Sequence, residues 1–477
     1  MAYQDMREFL RKLEEEGELG KVRVPVDPKF EVGAIAFKEL QKGGLERNKA
    51  LLFEKPIGSS FKLAVNLMAS PRRYHMALGV SSRQQLRQLW RDRASHSIEP
   101  VLVDEGPAQE VIMDKNPTLG EFPIPIWNEK DNGPYITMGC VISKDPETGR
   151  RNCAIYRLMV REDWKSTGIL AAPYRHIAQH WAKAFANGNP LPVAVAIGVD
   201  PAIVIAAAAP FPSGVDEMGR AGALRGAPVE MIKCCRVPLE VPAHAEIVLE
   251  GEIRPDDVGE EGPFGEFTGY YGGERAKRPI VRIQCISRRK NPIDVGSYVG
   301  RPPQEDALLL AVGAEMEIMR QCPLPGLREV YIHPYGVFNA IVSMEKSFDG
   351  YAKMIAMAIL STWPGWMIKN VILVDSDIDP RDADQLFWAL AMRVNPERDV
   401  DVVKDVVGAS LDPSLPPEER RTGKNRISKM IIDATEPVKK DGFPEVCLPN
   451  RDVLAQVEAN WKSYGVDDSG ITLRSTS

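Results

Sequence analysis

Apolar residues recur at helical spacing from the start of the chain. Met6, Phe9, Leu10 and Leu13 share one face and charges fill the other, which predicts an amphipathic helix. Gly17 and Gly20 end it, and LGKVRVPVD reads as a short strand. Two compact apolar runs, 50–53 and 63–67, extend this opening into a small α/β unit with helical material behind it. The Pro-rich FPIPIW (122–127) marks a junction. From about residue 134 the texture becomes that of strands: YITMGCVISKD, RNCAIYRLMVR, VAVAIGV, AIVIAAAA, EIVLEGEI and PIVRIQCISRR. One helical insertion near 174–187 interrupts them, so a barrel-like β domain is expected rather than repeated βαβ units.

The run from Pro190 to Pro212 imitates a membrane span, but Asp200-Pro201 divides it and neither half reaches the ~20 residues a bilayer requires. Two buried strands joined by a tight turn are expected there. After residue 303 the period returns to 3.6, and QEDALLLAVGAEMEIMRQ predicts a long, mostly buried linker helix. Strands (EVYIHPY, NAIVSMEK, KNVILVDSD) then alternate with helices (YAKMIAMAILST, ADQLFWALAMRV) in a third section with its own core. A last helix carries the stripe Val453, Leu454, Val457, Trp461 and Tyr464, to be docked on a partner subunit or on its own chain.

Composition narrows the class. The 477 residues carry 60 Lys+Arg against 66 Asp+Glu, and the resulting mild acidity excludes the electrostatic footprint of a nucleic-acid binder. Seven scattered cysteines form no disulfide framework and no CxxC pair, so they read as incidental. The charged opening residues lack the apolar core of a secretory signal. A cytoplasmic protein without an integral membrane span is expected.

Four clusters could carry chemistry. In Glu260-Glu261-Gly-Pro-Phe-Gly-Glu266 the bend allows Glu261 and Glu266 to reach one cavity, where burial and repulsion would keep one protonated as a general acid. The bland alternative is a Gly-rich surface turn with solvated acids. Asn152 and Arg157 lie in one apparent strand, five positions apart and so on opposite faces unless a bulge intervenes. Burying that Arg requires a carboxylate partner, whereas an edge-strand Arg requires none. His176 and His180 stand one helical turn apart, a spacing that suits a divalent metal and equally a structural pair; the HExxH pattern is absent. In GALRGAPVEMIKC, Glu230 and Lys233 flank a short apolar turn. Asn152, His176 and Glu230 together offer a mixed O/N set suited to Mn²⁺ or Mg²⁺. No GxxxxGK[ST] loop, GxGxxG fingerprint or GxSxG elbow is present, which leaves ATP chemistry and serine-triad hydrolysis unsupported.

Taken in order, these clusters resemble the UbiD family of decarboxylases that use prenylated FMN. NCAIYRLMV is similar to the family segment with a metal-binding Asn and the catalytic Arg, which fall on Asn152 and Arg157. EGPFGEFTGY resembles the EGPxGExxGY signature and places the catalytic glutamates on Glu261 and Glu266. RHIAQ corresponds to the metal-ligand His, here His176, and APVEMIKC puts the metal-ligand Glu on Glu230. GRPPQED (300–306) and RISKMIIDAT (426–435) also look like family segments, the latter with Lys429 as a phosphate-side contact.

The resemblance implies a mixed α+β architecture: an N-terminal α/β section (1–120), a split β-barrel binding prenylated FMN (121–303), a linker helix (304–322), and a C-terminal α/β oligomerisation domain with a terminal helix (323–477). It implies Mn²⁺ (or Mg²⁺) and K⁺ at the cofactor phosphate, held by Asn152, His176 and Glu230, with Ile155, Arg157 and Lys429 as further cofactor contacts. The implied activity is that of a carboxy-lyase: reversible, non-oxidative decarboxylation through a covalent substrate–cofactor adduct, with Arg157 orienting the carboxylate, Glu261 holding the Arg and Glu266 donating the proton. GRPPQED looks more like the aromatic-acid members than the acrylate branch, so an aromatic or heteroaromatic carboxylate is favoured, with Arg301 as a second anion contact or a structural Arg. An acrylic-acid decarboxylase or a non-catalytic subunit of a multi-component carboxylase are the alternatives. The expected partners are CO₂ and the small acid, a homodimer or hexamer of the chain, and a UbiX-type flavin prenyltransferase.

Overall fold

The computed structural model describes residues 3–272, 275–422, 425–439 and 442–465. The chain opens on the helix Met6–Glu15, whose N-cap Asp5 accepts from the Glu8 N–H and whose Met6, Phe9, Leu10 and Leu13 are buried. A four-stranded sheet follows, in the order Leu19–Val26, Ala50–Pro56, Lys62–Val65, Ile293–Gly296. Its last strand comes from the far end of the stretch expected to be barrel, so the N-terminal layer and the β domain share one fabric. The helix Glu31–Arg47, which the apolar pattern did not predict, packs Val32, Ala36 and Leu40 beneath this sheet.

The central part is a nine-stranded half-barrel sheet built around the long hairpin Ile247–Glu261 and Ala276–Arg288. Register shifts after Glu250 and after Ile253 mark bulges that curl it. Three helices cover the sheet, not one: His176–Ala186, Pro201–Ala208 and Glu217–Arg225. The strand expected over AIVIAAAA is therefore a helix. Asp200 caps it by accepting from the Ala202 N–H at 2.6 Å, and Pro201 occupies the first turn, where its missing N–H costs nothing. Seven of its eight residues are buried, so it shows no apolar stripe for a periodicity argument to detect.

The linker helix spans Glu305–Gln321 and serves two cores. Ala307, Ala311, Ala314 and Ile318 face the C-terminal layer, while Leu308, Leu309, Val312 and Met316 face the central one. The C-terminal layer is a five-stranded sheet ordered Leu327–Ile332, Asn339–Met344, Asn370–Asp375, Arg426–Ala434, Val400–Val407, with the helices Tyr351–Leu360 and Ala383–Arg393 packed on it. No residue of the terminal helix Arg451–Ala459 is fully buried, although Leu454 and Val457 are half-buried. Among the described residues no helix is long and apolar enough to cross a membrane.

Candidate active site

The strand carrying Asn152 stops at Ile155 and resumes at Leu158. That break turns Asn152 and Arg157 toward two neighbouring places, which a regular strand would also have separated. Asn152, Ala154 and Tyr156 alternate along the chain and line one cleft. Half-buried Ile155 lies between them. Arg157 instead meets the acids of the 261–266 bend.

There the guanidinium grips Glu261 with a fork of two bonds, Nε to Oε1 and Nη2 to Oε2, each 3.0 Å, and its Nη1 contacts Glu266 Oε1. The three side chains are 8%, 1% and 7% exposed, so the pairing is a buried one. The Arg157 carbon also lies 5.1 Å from the Phe264 ring centre, a cation–π contact within a dry wall. Gly262 at φ +80° makes the bend, and Gly272 leaves the space that Glu266 fills, since a Cβ there would stand 2.5 Å from Glu266 Cγ. Glu260, the other acid of the bend, points outward toward Arg275.

Two residues that motif reading did not single out complete this corner. The Tyr135 hydroxyl donates to Glu261 Oε1 at 3.2 Å, and burial together with the Glu261 charge keeps the phenol protonated. Asp131 accepts from the Gly265 N–H at 2.8 Å and so fixes the backbone beside Glu266; burial pushes its carboxyl up to about 6.

The neighbouring cleft lies between the β domain and the C-terminal turn 363–367. His176 Nδ1 lies 3.0 Å from Asn152 Oδ1, leaving the buried atoms His176 Nε2 and Asn152 Nδ2 without hydrogen-bond partners. Burial and then the Arg175 charge push His176 down to about 4, so its ring is neutral. Glu217 lines the same cleft, 4% exposed, and accepts from the Cys153 N–H at 2.8 Å. Burial pushes its carboxyl up to about 8. Arg175 and the N-terminus of the helix His176–Ala186 open into this space too, which gives it donors for an anion.

Glu230 does not join this group. It sits on a short strand, Glu230–Lys233, rather than on a turn, and its half-exposed side chain pairs with His244 at 2.6 Å. Glu217, thirteen positions earlier, is the carboxylate that stands with Asn152 and His176. The signal that could have found it is local: Asp216 caps the helix Glu217–Arg225, and the next residue is an acid that a Gly/Ala-rich helix buries. His180 also diverges from His176, its Nδ1 lying 2.9 Å from the Ser143 hydroxyl against the sheet.

Lys429 is buried behind the 363–367 turn and donates to the Gly365 and Trp366 carbonyls at 2.7 and 3.1 Å. Burial lowers its ammonium to about 8. On the cleft side of that turn, Trp363 stacks 6.0 Å from His176 and Trp366 lies 4.9 Å from Tyr174, so the C-terminal layer forms the lid of the cleft. Arg301 is exposed, its backbone against Gly269 beyond the Glu266 turn. An arginine clamped by two buried acids, beside a cleft that buries an unpartnered imidazole nitrogen and a carboxylate, can bind a carboxylate, pass a proton and accommodate a cation with an anionic group.

Comparison with known proteins bears on the family and the fold. Three family models match in register: the 3-octaprenyl-4-hydroxybenzoate carboxy-lyase N-terminal domain over residues 10–92, its Rift-related domain over 101–302 and its C-terminal domain over 307–434. A protein of Archaeoglobus fulgidus is 36% identical over 97% of this chain and 98% of its own length. The UbiD-class enzyme HmfF from Pelotomaculum thermopropionicum, solved in complex with FMN, is 34% identical and superposes with a TM-score of 0.83 over 95% of this chain and 99% of that one. An evolved dimeric form of HmfF was solved in complex with prFMN, at 33% identity and a TM-score of 0.80 over 94% and 98% of the two chains. The closed form of vanillic acid decarboxylase from Sedimentibacter hydroxybenzoicus is 32% identical, with a TM-score of 0.86 over 98% and 100% of the two chains.

Proposed function

The chain belongs to the UbiD family of carboxy-lyases, and from that premise we propose that it decarboxylates an aromatic or heteroaromatic carboxylic acid with prenylated FMN as cofactor. The observation that carries this reading is the buried Arg157 guanidinium shared between Glu261 and Glu266. Relatives of this chain are solved with FMN and prFMN, and one acts on vanillic acid.

The fit to the cofactor rests on unpartnered groups. His176 Nε2 and Asn152 Nδ2 are buried without hydrogen bonds, and Glu217 is a buried carboxylate beside them. Asn152, His176 and Glu217 would hold Mn²⁺ or Mg²⁺, and that cation, with K⁺, would offset the negative charge of the flavin phosphate. Arg175 and the adjoining helix N-terminus would take the remaining phosphate charge, with Lys429 as a cation behind the lid. When bound, the modified flavin supplies a covalent electron sink for the electrons that CO₂ leaves behind.

The chain's own residues do the rest. Arg157 receives the substrate carboxylate by its Nη1 edge while Glu261 keeps the fork side occupied. Three carboxylates then face one guanidinium, and their repulsion drives Glu266 to take up a proton. As the C–C bond breaks, that proton goes to the carbon that loses CO₂, so the acid R–COO⁻ plus H⁺ yields R–H and CO₂. Phe264 and Tyr135 exclude water that would weaken these contacts. Run backward, the same groups carboxylate.

The enzyme works in the cytoplasm as a homodimer or hexamer, on this reading, with a UbiX-type prenyltransferase as its cofactor source. The test is CO₂ release from a panel of aromatic, heteroaromatic and acrylic acids by protein co-expressed with that prenyltransferase. Mass spectrometry of the released cofactor accompanies it. Turnover of aromatic acids with a five-carbon-heavier flavin is expected; plain FMN in an active enzyme, or acrylates as the sole substrates, would overturn the reading.

A further inference from the structure

We propose that Cys235, Glu250 and Cys285 form a zinc site on the outer end of the central hairpin, separate from the flavin cleft. The three side chains offer Sγ, carboxylate O and Sγ atoms that all lie within 4.8 Å of one another. Glu250 and Cys285 face each other across the hairpin, at the pair where a bulge begins. Cys235 comes from the turn that follows the strand Glu230–Lys233 and is exposed, which gives an ion an entry path.

Glu250 is the feature that calls for a cation. It is fully buried, and among the described residues no Lys, Arg or His pairs with it. Its oxygens accept the N–H groups of Cys235, Arg236 and Val237 at 2.8, 2.6 and 3.3 Å, so the carboxylate is already aimed at the turn that brings Cys235. Oε1, which accepts only the Cys235 N–H, retains a lone pair for a metal, whereas Oε2 is filled by the other two. The Gln109 amide, 3.5 Å from Cys235 Sγ, supplies an outer hydrogen bond of the kind that orients thiolate ligands.

Two thiolates and one carboxylate suit Zn²⁺ in tetrahedral coordination with water in the fourth position. Burial and the Glu250 charge hold Cys285 up at about 12 and raise Cys235, so both thiols keep their protons until an ion arrives. Binding then releases two protons as two Zn–S bonds form, and it is favoured by rising pH. A disulfide between the same cysteines would leave the buried Glu250 charge without a partner. Glu261 lies about eleven residues along the same strand, on the order of 35 Å away, so the ion would staple the 234–237 turn to the hairpin without touching the chemistry.

The full-length reduced protein, stripped with chelator, is titrated with Co²⁺ and then Zn²⁺. One equivalent of Co²⁺ giving thiolate-to-metal charge-transfer absorption, bleached by Zn²⁺ and absent in Cys235→Ser and in Cys285→Ser, is the expected result. A set of Asn, His and Glu ligands gives no such band, so the flavin-cleft metal cannot imitate it. Absence of the band in the folded wild-type chain, its persistence in both variants, or a Cys235–Cys285 disulfide recovered by mass spectrometry from freshly lysed, alkylated protein would overturn the proposal. Cys235 is exposed, so its variant folds whatever the fate of Cys285→Ser.

Discussion

Arg157 and Glu261 are joined by two parallel 3.0 Å bonds, and that fork decides which of the two glutamates is free to act. Glu261 is held twice by the guanidinium and once by the Tyr135 hydroxyl; Glu266 has only the outer Nη1 edge. Lysine at position 157 keeps the charge but cannot occupy both oxygens of Glu261 and still offer an edge. Arg157→Lys is expected to lower kcat/KM by roughly two orders of magnitude or more, the scale of losing a preorganised charge contact. Flavin content measured by absorbance should be retained.

Glu266→Gln tests the proton. The amide preserves the shape and a hydrogen bond to Arg157 but has no acid form to deliver. Turnover is expected to fall below detection while cofactor and metal stay bound. Exchange of the product's new C–H hydrogen with D₂O should be lost in parallel. Wild-type decarboxylation by this variant would remove Glu266 from the mechanism.

Glu217 and Glu230 make a paired test of the metal set. Glu217 is buried in the cleft with Asn152 and His176; Glu230 pairs with His244 on the surface. Glu217→Gln is therefore expected to cut metal, measured by elemental analysis, and flavin together by about tenfold or more, as for loss of a direct ligand. Glu230→Gln should leave both unchanged. Metal loss in the second variant alone would restore the assignment made from the motif.

That pair also marks what sequence could and could not reach. Arg157, Glu261 and Glu266 were legible because a buried Arg needs acids and a Gly-Pro bend brings two of them together. The motif reaches Glu230 rather than Glu217, since a motif fixes a neighbourhood but not which acid in it turns inward. Glu217 carries only the weak local signal of an acid following the Asp216 cap, and the packing of its helix against Cys153 is what brings it into the cleft. The helix Pro201–Ala208 was misread for a related reason: burial on all sides erased its period, although Asp200-Pro201 is a capping signature.

Stability should carry a pH signature from Asp294. Burial pushes this carboxyl up to about 7, with only the Val295 N–H to favour its charge. A raised carboxyl pKa means the folded chain holds the proton more tightly than the unfolded one. Its contribution is full below pH ~4 and is lost as pH rises through about 7, to a total of at most a few kcal/mol. Asp294→Asn removes that titration. The Tm difference, wild type minus variant, is expected to fall steadily between pH 5 and 8 in calorimetry; a flat difference would mean that Asp294 is ionised throughout.

The terminal helix bears on assembly. Arg451–Ala459 has no fully buried residue; Val453 on it is 54% exposed, and Tyr464 in the turn Trp461–Tyr464 that follows is 55% exposed. Single exposed apolar residues are ordinary, but a stripe that its own chain covers only in part, as half-buried Leu454 and Val457 show, leaves room for a partner. A second copy of the chain is the occupant that the proposed homo-oligomer supplies. Truncation after Pro449 is expected to lower the mass seen by light scattering by at least one association step. The half-barrel and its flavin content should survive, since neither core draws a residue from beyond that point. An unchanged mass would place the assembly contacts elsewhere on the C-terminal layer, where Phe387 and Met392 stand 70% and 66% exposed on the helix Ala383–Arg393.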